Sequence, residues 1–172
     1  MAKLTDDEIA TKLEEVKTIR FCLDKDPLTL GLNSILAKLA EVQSQKSRLS
    51  SLIMEAMQNA AVCEIEKEQI QNDHDRKLDL LMATDDDVKN QKSAEQRNTH
   101  GRLKMTDQVL ALHKADVSSI KAGWYQKILQ SVYNDLESAN GNLSRQISVI
   151  QLESNINGGQ FQNKGTIKQI NL

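Results

Sequence analysis

A chain of 172 residues with 3% aromatic residues, one proline and seven glycines has too few large rings for a compact globular core, and its composition favours long helices. The formal net charge is −2, but residues 1–87 hold 18 acids and 11 bases, whereas residues 88–172 hold 6 acids and 11 bases. An acidic half joined to a basic half indicates either self-association or a localised site for a polyanion.

The first predicted element is a helix over residues 5–25. Thr5 can cap its N-terminus, and Glu8, three residues later, can complete a capping box. Proline disfavours a helical conformation in the residue before it, so Asp26-Pro27 is expected to end this helix. Because Pro27 suits the first position of a helix, a second helix is expected to begin there.

The second predicted helix covers residues 27–83 and is the longest regular pattern in the chain. Its apolar residues alternate in steps of four and three, which is the spacing of a helix that packs along another helix. Only Lys46 interrupts this series. The series consists of Leu28, Leu32, Ile35, Leu39, Val42, Leu49, Ile53, Ala56, Ala60 and Cys63. Ordering such a helix, about 80 Å long, costs more free energy than burial of ten side chains contributes. A partner helix, from this chain or from another copy, is therefore expected to cover the series.

After a stretch from Lys89 to His100 that is interpreted as a solvated connector, partly helical, a third helix is predicted over residues 103–156. Asn157-Gly158-Gly159 is expected to end it, leaving a flexible tail over residues 160–172. The apolar stripe of the third helix is wide enough to contact two neighbours, because the period of the stripe is nearer 3.6 than 3.5 residues. The predicted oligomer interface consists of seven stripe residues: Trp124, Ile128, Val132, Leu136, Leu143, Ile147 and Ile150.

These elements predict an all-α protein: one helical domain over residues 1–159, with a short N-terminal helix and a long antiparallel hairpin of coiled-coil type that assembles into an oligomer. No signal peptide is recognised, and no apolar run approaches the length that spans a bilayer. Cys22 and Cys63 lie among apolar helical positions, which suits buried thiols in a reducing compartment. We expect a cytoplasmic protein with no membrane partner.

The sequence contains no residue pattern typical of an enzyme. His74, His100 and His113 lie on different predicted elements, too far apart to form a metal site, and Asp85-Asp86-Asp87 is explained by the start of a helix. No glycine-rich phosphate loop or nucleophile elbow is present. We therefore expect no catalytic residue, no metal and no cofactor.

The clearest functional signal is the basic region from Arg76 to Lys127. Lysines and arginines that contact phosphates give salt-dependent binding that is independent of sequence, and aromatic rings add stacking on the bases of single strands. The available rings are Trp124, Tyr125 and Tyr133. The alternative interpretation is that these charges form a solvated face and that the rings belong to the core.

Two segments resemble the UvsY-type recombination mediators of T-even-like phages. The first, Asp75-Arg76-Lys77-Leu78-Asp79-Leu80-Leu81, is similar to the basic motif that ends the long helix of that family, although leucines replace the paired aromatics. The second resembles the aromatic-led closing helix through Trp124-Tyr125, Ile128-Leu129, Leu136, Ser144-Arg145-Gln146-Ile147 and Asn157-Gly158-Gly159. The resemblance spans residues 5–159, and this chain is less basic than the family.

The resemblance implies a ring-like homo-oligomer that binds single-stranded DNA, contacts a single-strand-binding protein and helps to load a RecA-like recombinase, in the cytoplasm of a bacterial host. Residue by residue, it implies phosphate contacts from Arg76 and Lys77. The neighbouring bases are further DNA-binding candidates: Lys89, Lys92, Arg97, Arg102 and Lys104. The alternative is a structural coiled-coil scaffold or adaptor protein that does not bind nucleic acid.

Overall fold

The computed structural model describes residues 3–19 and 31–165, with side chains described as far as residue 156. Every regular element in these ranges is a helix, which confirms the all-α prediction. There are five: α1 (Asp6–Lys17), α2 (Gly31–Thr84), α3 (Asp86–Lys89), α4 (Ala94–Lys104) and α5 (Thr106–Gly165). None of the helices in the described ranges combines the length and the apolarity that crossing a bilayer requires.

The predicted capping box is present at the start of α1. The backbone N–H of Thr5 donates to the Glu8 carboxylate over 2.8 Å, and the Glu8 N–H donates to the Thr5 hydroxyl over 3.2 Å. The helix ends at Lys17, earlier than the predicted residue 25. The Thr18 hydroxyl donates to the Glu15 carbonyl over 2.6 Å, and the Ile19 N–H donates to Val16, which tightens the last turn.

The predicted end of the second helix at residue 83 agrees with Thr84 to within one residue, but both ends of the third helix differ from the prediction. The predicted start at Pro27 lies outside the described residues, and the described helix α2 begins at Gly31, whose φ of +70° a regular right-handed helix does not contain. Helix α5 begins at Thr106 and runs through Asn157-Gly158-Gly159 to Gly165. A glycine costs a helix about 1 kcal/mol but, unlike proline, it keeps its N–H donor, so it does not force an end.

Two short helices overlap the predicted connector, residues 89–100, and a small core lies at its two ends. The Asp85 carboxylate caps α3 by accepting from the N–H groups of Asp87 and Val88, and the Ser93 hydroxyl caps α4. Val88 is fully buried. A Cβ at Gly101 would lie 2.6 Å from Leu78 Cδ1, so α4 approaches α2 closely here and a larger residue would require the Leu78 side chain to shift. These buried residues lie beside the predicted connector, whereas residues 89–100 themselves are exposed or half-buried and partly helical, as expected.

The described chain divides into two units. One consists of residues 3–13 and 52–129, and the other of residues 14–19, 31–51 and 130–165. Each unit contains a segment of α2 and a segment of α5, and each has its own buried residues. The prediction of one domain over residues 1–159 stays a prediction.

In the unit formed by residues 14–19, 31–51 and 130–165, α2 and α5 are antiparallel. Gln43 donates to Asn140 over 2.9 Å, and Lys46, one turn further along α2, forms an ion pair with Glu137, one turn back along α5. The Lys46 ammonium also lies 5.4 Å from the centre of the Tyr133 ring. The buried residues recur every seven positions on both helices: Ile35, Val42 and Leu49 on α2, and Leu136 and Leu143 on α5.

In the unit formed by residues 3–13 and 52–129, the same antiparallel packing is present. Lys67 pairs with Asp116 over 3.0 Å, and Glu64 accepts from the Ser119 hydroxyl. The seven-residue series continues with Ala56 and Cys63 on α2 and with Ala115, Ala122 and Leu129 on α5. In both units a segment of α5 therefore covers the apolar series of α2. Cys63 is a buried thiol, as predicted, whereas Cys22 lies outside the described residues.

Within the unit formed by residues 3–13 and 52–129, the N-terminal segment is held to α2 and α5 by polar contacts. The Leu4 N–H donates to the side-chain oxygen of the buried Asn59 over 2.9 Å. Three ion pairs also join the segment to the two long helices: Lys3–Glu66 and Lys12–Glu55, each at 2.7 Å, and Lys121–Asp6. This short helix therefore packs across α2 and α5, with Ile9 and Leu13 half-buried beneath it.

Candidate nucleic-acid interface

Arg76 and Lys77 lie together on an exposed face near the C-terminal end of α2. With Asp73 and Leu80 they line an open groove of about 470 Å³. Steps of three and four residues bring these four side chains to one face of the helix. Leu80, at one of the positions where leucine replaces the family's aromatics, is largely exposed and adds an apolar surface beside the two bases.

The opposite face of the same helical turns is buried and fixes their orientation. His74 and Leu78 are almost completely inaccessible, and Leu78 packs against Gly101 of α4. The His74 ring nitrogen Nδ1 lies 3.0 Å from the Asp75 carboxylate. A hydrogen bond from Gln71, and secondly the one from His74, lowers the pKa of Asp75. Within the described ranges, no group of His, Cys, Asp and Glu residues is arranged to hold a metal ion.

The remaining candidates are on or beside α3 and α4. Lys89, Lys92 and Arg102 are exposed, and Arg97 is half-buried. Arg102 lies close enough to Asp75 for its charge to help lower the pKa of that carboxyl group. In the part of the chain that the structure describes, six candidates form no ion pair: Arg76, Lys77, Lys89, Lys92, Arg97 and Arg102. These six charges are available to an external anion, although Arg102 lies near Asp75.

Lys104 differs from the other candidates because it already has carboxylate partners. Its ammonium lies 2.7 and 2.8 Å from the two Asp85 oxygens and 3.0 Å from Asp87. The hydrogen bonds that Lys104 donates to Asp85, and then to Asp87, raise the pKa of Lys104, and the same ammonium lowers the pKa of Asp85. Lys104 therefore joins the end of α4 to the start of α3, and a phosphate would have to displace Asp85 and Asp87.

Because of the ion pair between Lys104 and Asp85, we expect the folded protein to lose stability at acid pH. Because Lys104 lowers the folded-state pKa of Asp85, the pair stabilises the fold fully above the ordinary value of 3.8, and this contribution disappears as the pH falls through the lowered value. Asp85→Asn keeps a good helix cap but removes the charge. We expect this variant to lose less stability than the wild type between about pH 6 and pH 2 in urea unfolding. Asp86→Asn is the control, and equal losses in all three proteins would contradict the prediction.

No protein-family model, curated protein or solved structure matches this chain.

The predicted oligomer stripe does not form one continuous surface. Trp124 and Ile128 are exposed, whereas Val132, Ile147 and Ile150 are half-buried. Two further members, Leu136 and Leu143, are buried against α2 within their own unit and cannot contact another subunit unless the hairpin opens. The reason is geometric: the buried residues of α5 recur every seven positions, and a stripe traced in steps of four drifts across that series.

The three candidate stacking rings lie in different surroundings. Tyr125 is buried, Tyr133 is half-buried beneath Lys46, and Trp124 keeps 66% of its surface exposed. Sequence reasoning placed all three rings on the apolar side of the third helix and could not separate them. The signal that separates them is the seven-residue spacing from Ala122 to Leu129, which places Tyr125 on the buried side and Trp124 on the outer side of α5.

Proposed function

We propose that this protein is a single-stranded-DNA-binding recombination mediator that helps to load a RecA-like recombinase onto DNA. The observation that carries the proposal is the pair Arg76 and Lys77. These bases are exposed and lie within the motif that resembles the UvsY-type family. In the described residues they form no ion pair, so no intramolecular partner has to be displaced when they bind phosphates.

Binding would be weak for each copy and strong for an assembly. Exposed bases that contact phosphates release counterions and give salt-dependent affinity with little sequence preference. Arg76 and Lys77 would contact the strand first, and Lys89, Lys92 and Arg97 would extend the contact onto α3 and α4. An oligomer repeats these contacts along one strand, so that the effective concentration of each further site raises the overall affinity. Contacts with a single-strand-binding protein and a recombinase belong to the same proposal.

Photocrosslinking tests where the strand lies. We expect a single strand that contains 5-iodouracil to crosslink, under ultraviolet light, to peptides that contain residues 73–80 and 89–102. Mass spectrometry of the digested complex identifies the crosslinked peptides. Crosslinks confined to peptides from residues 31–51 or 130–156 would contradict the assignment of the site. A duplex of the same length is the control and is expected to give weaker crosslinking.

One observation favours the alternative, a coiled-coil scaffold without nucleic-acid binding. Residues 73–104 contain seven acids as well as seven bases, so the candidate interface has no net charge. Helices with exposed apolar residues need only partner helices to form an assembly. A scaffold would form oligomers and would leave DNA unbound at low salt, which separates the two functions.

A further inference from the structure

The unit formed by residues 3–13 and 52–129 has two stripes of exposed apolar side chains. The α5 stripe consists of Val117, Ile120, Trp124 and Ile128, all exposed. The α2 stripe consists of Met54, Met57, Ala61 and Ile65; Met54 is 62% and Ile65 54% exposed. Both stripes advance in steps of three and four residues, the spacing by which one helix packs along another. Isolated exposed apolar residues are ordinary, but two aligned series on one unit indicate contact surfaces.

The two stripes point away from each other. On α2, Ile65 is two residues after the buried Cys63, and on α5, Trp124 is two residues after the buried Ala122. Two residues correspond to about 200° around a helix. The buried sides of the two helices face each other within this unit, so each stripe lies on the outer side of its own helix. One copy therefore presents two different apolar surfaces in different directions.

The charges near the two stripes are complementary. Residues 52–70 of α2 contain four acids, three of which already pair with lysines of the same unit, and residues 110–128 of α5 contain three bases, one of which is paired. Glu68 lies three residues after Ile65 on the α2 stripe, is exposed and has no ion-pair partner in the described ranges. Lys127 lies three residues after Trp124, at one edge of the α5 stripe, and has no ion-pair partner in the described ranges, whereas Lys121 at the other edge already pairs with Asp6. Opposite charges of this kind fix the pairing of two helices and oppose contact between like stripes.

The α5 stripe also borders a concave surface. Ile9, Ala10 and Leu13 of α1 form a groove of about 260 Å³ with Trp124 and Ile128. The α2 stripe, in contrast, presents Met54 and Met57, whose unbranched side chains adapt to irregular apolar gaps. A groove beside the α5 stripe and adaptable methionine side chains on the α2 stripe suit each other in shape.

We propose that copies of this protein associate head to tail, the α2 stripe of one copy packing against the α5 stripe of the next. The occupant of each stripe is thus the unlike stripe of a second copy. Such a heterologous contact repeats in one direction and produces a closed ring or an open chain instead of a two-fold dimer. This contact specifies how the oligomer in the proposed function would form, and it does not depend on DNA binding.

Two variants, each with one blocked stripe, test the head-to-tail contact. Ile65→Glu blocks the α2 stripe and Trp124→Glu blocks the α5 stripe; both residues are exposed, so circular dichroism is expected to show unchanged helix content. In analytical ultracentrifugation the wild type is expected to form assemblies larger than a dimer, and each variant alone is expected to be monomeric. An equimolar mixture is expected to form a one-to-one dimer and nothing larger, because one intact pair of unlike stripes remains. Leu152→Glu, an exposed substitution outside both stripes, is the control and is expected to assemble like the wild type.

The other results would overturn the proposal. A monomeric wild type, or a variant that assembles like the wild type, would show that the stripes do not hold copies together. A variant that dimerises on its own would show that like stripes pair, and a mixture that stays monomeric would show that the unlike stripes do not bind each other. Assembly only after another protein is added would identify a different occupant. A mixture that dimerises while the wild type fails to bind DNA would contradict the proposed function and leave the head-to-tail contact intact. A mixture that does not dimerise while the wild type binds DNA would reject the head-to-tail contact and leave the proposed function intact.

Discussion

Replacing Leu49 with alanine is expected to lower the free energy of unfolding by about 2–5 kcal/mol. Leu49 is completely buried in the seven-residue series of α2, where its side chain fills space between the two long helices. Alanine would remove the apolar contact and leave a cavity that a tightly packed helix pair closes only in part. The loss is large relative to the total stability of a typical domain, about 5–15 kcal/mol.

Urea unfolding followed by circular dichroism measures this effect at one fixed protein concentration, because self-association also stabilises the folded state. Leu36→Ala is the matched control. It removes the same atoms from the same helix at a position that is 45% exposed, and we expect a much smaller loss. Equal losses at the two positions would mean that Leu49 is not the buried member of the series.

Replacing both Arg76 and Lys77 with alanine is expected to weaken binding of single-stranded DNA by roughly tenfold, if each exposed contact contributes about 0.7 kcal/mol. The salt dependence is expected to change as well. Each lost phosphate contact lowers the slope of log affinity against log salt by about 0.7 for a single strand, so two contacts lower it by about 1.4 per bound copy. Fluorescence anisotropy of a labelled oligo-dT strand measures both quantities.

The control removes two bases far along the sequence from the candidate interface. Lys17→Ala with Arg48→Ala makes the same change in net charge, and both side chains pair with glutamates on the protein surface. We expect this control to keep the wild-type slope. An identical loss in both double variants would indicate an effect of overall charge and would contradict a local site at Arg76 and Lys77.

Much of the architecture could be predicted from periodicity. The spacing of Ile35, Val42 and Leu49 predicts a helix that needs a partner, and the capping box at Thr5 and Glu8 predicts where the first helix begins. Local patterns of this kind act over one or two helical turns, so they are visible in the sequence. Helix ends were less predictable, because glycines such as Gly158 weaken a helix without stopping it.

The candidate interface and the oligomer stripe depended on tertiary contacts that the sequence does not specify. Lys104 looks like the other bases in the sequence, but the chain folds so that it meets Asp85 and Asp87. Leu136 and Trp124 belong to one apolar stripe in the sequence, but the partner helix covers only the first of them. Which side of a wide stripe is buried is decided by the partner helix, and no pattern on α5 alone determines it.

The most direct test of the central claim compares binding of single-stranded and duplex DNA of equal length to the wild-type protein. Fluorescence anisotropy over a series of salt concentrations gives both affinities and both slopes. The proposed mediator is expected to prefer the single strand and to lose affinity steeply as salt rises. Absence of binding to either DNA at low salt would contradict the mediator and would identify the protein as an assembly scaffold.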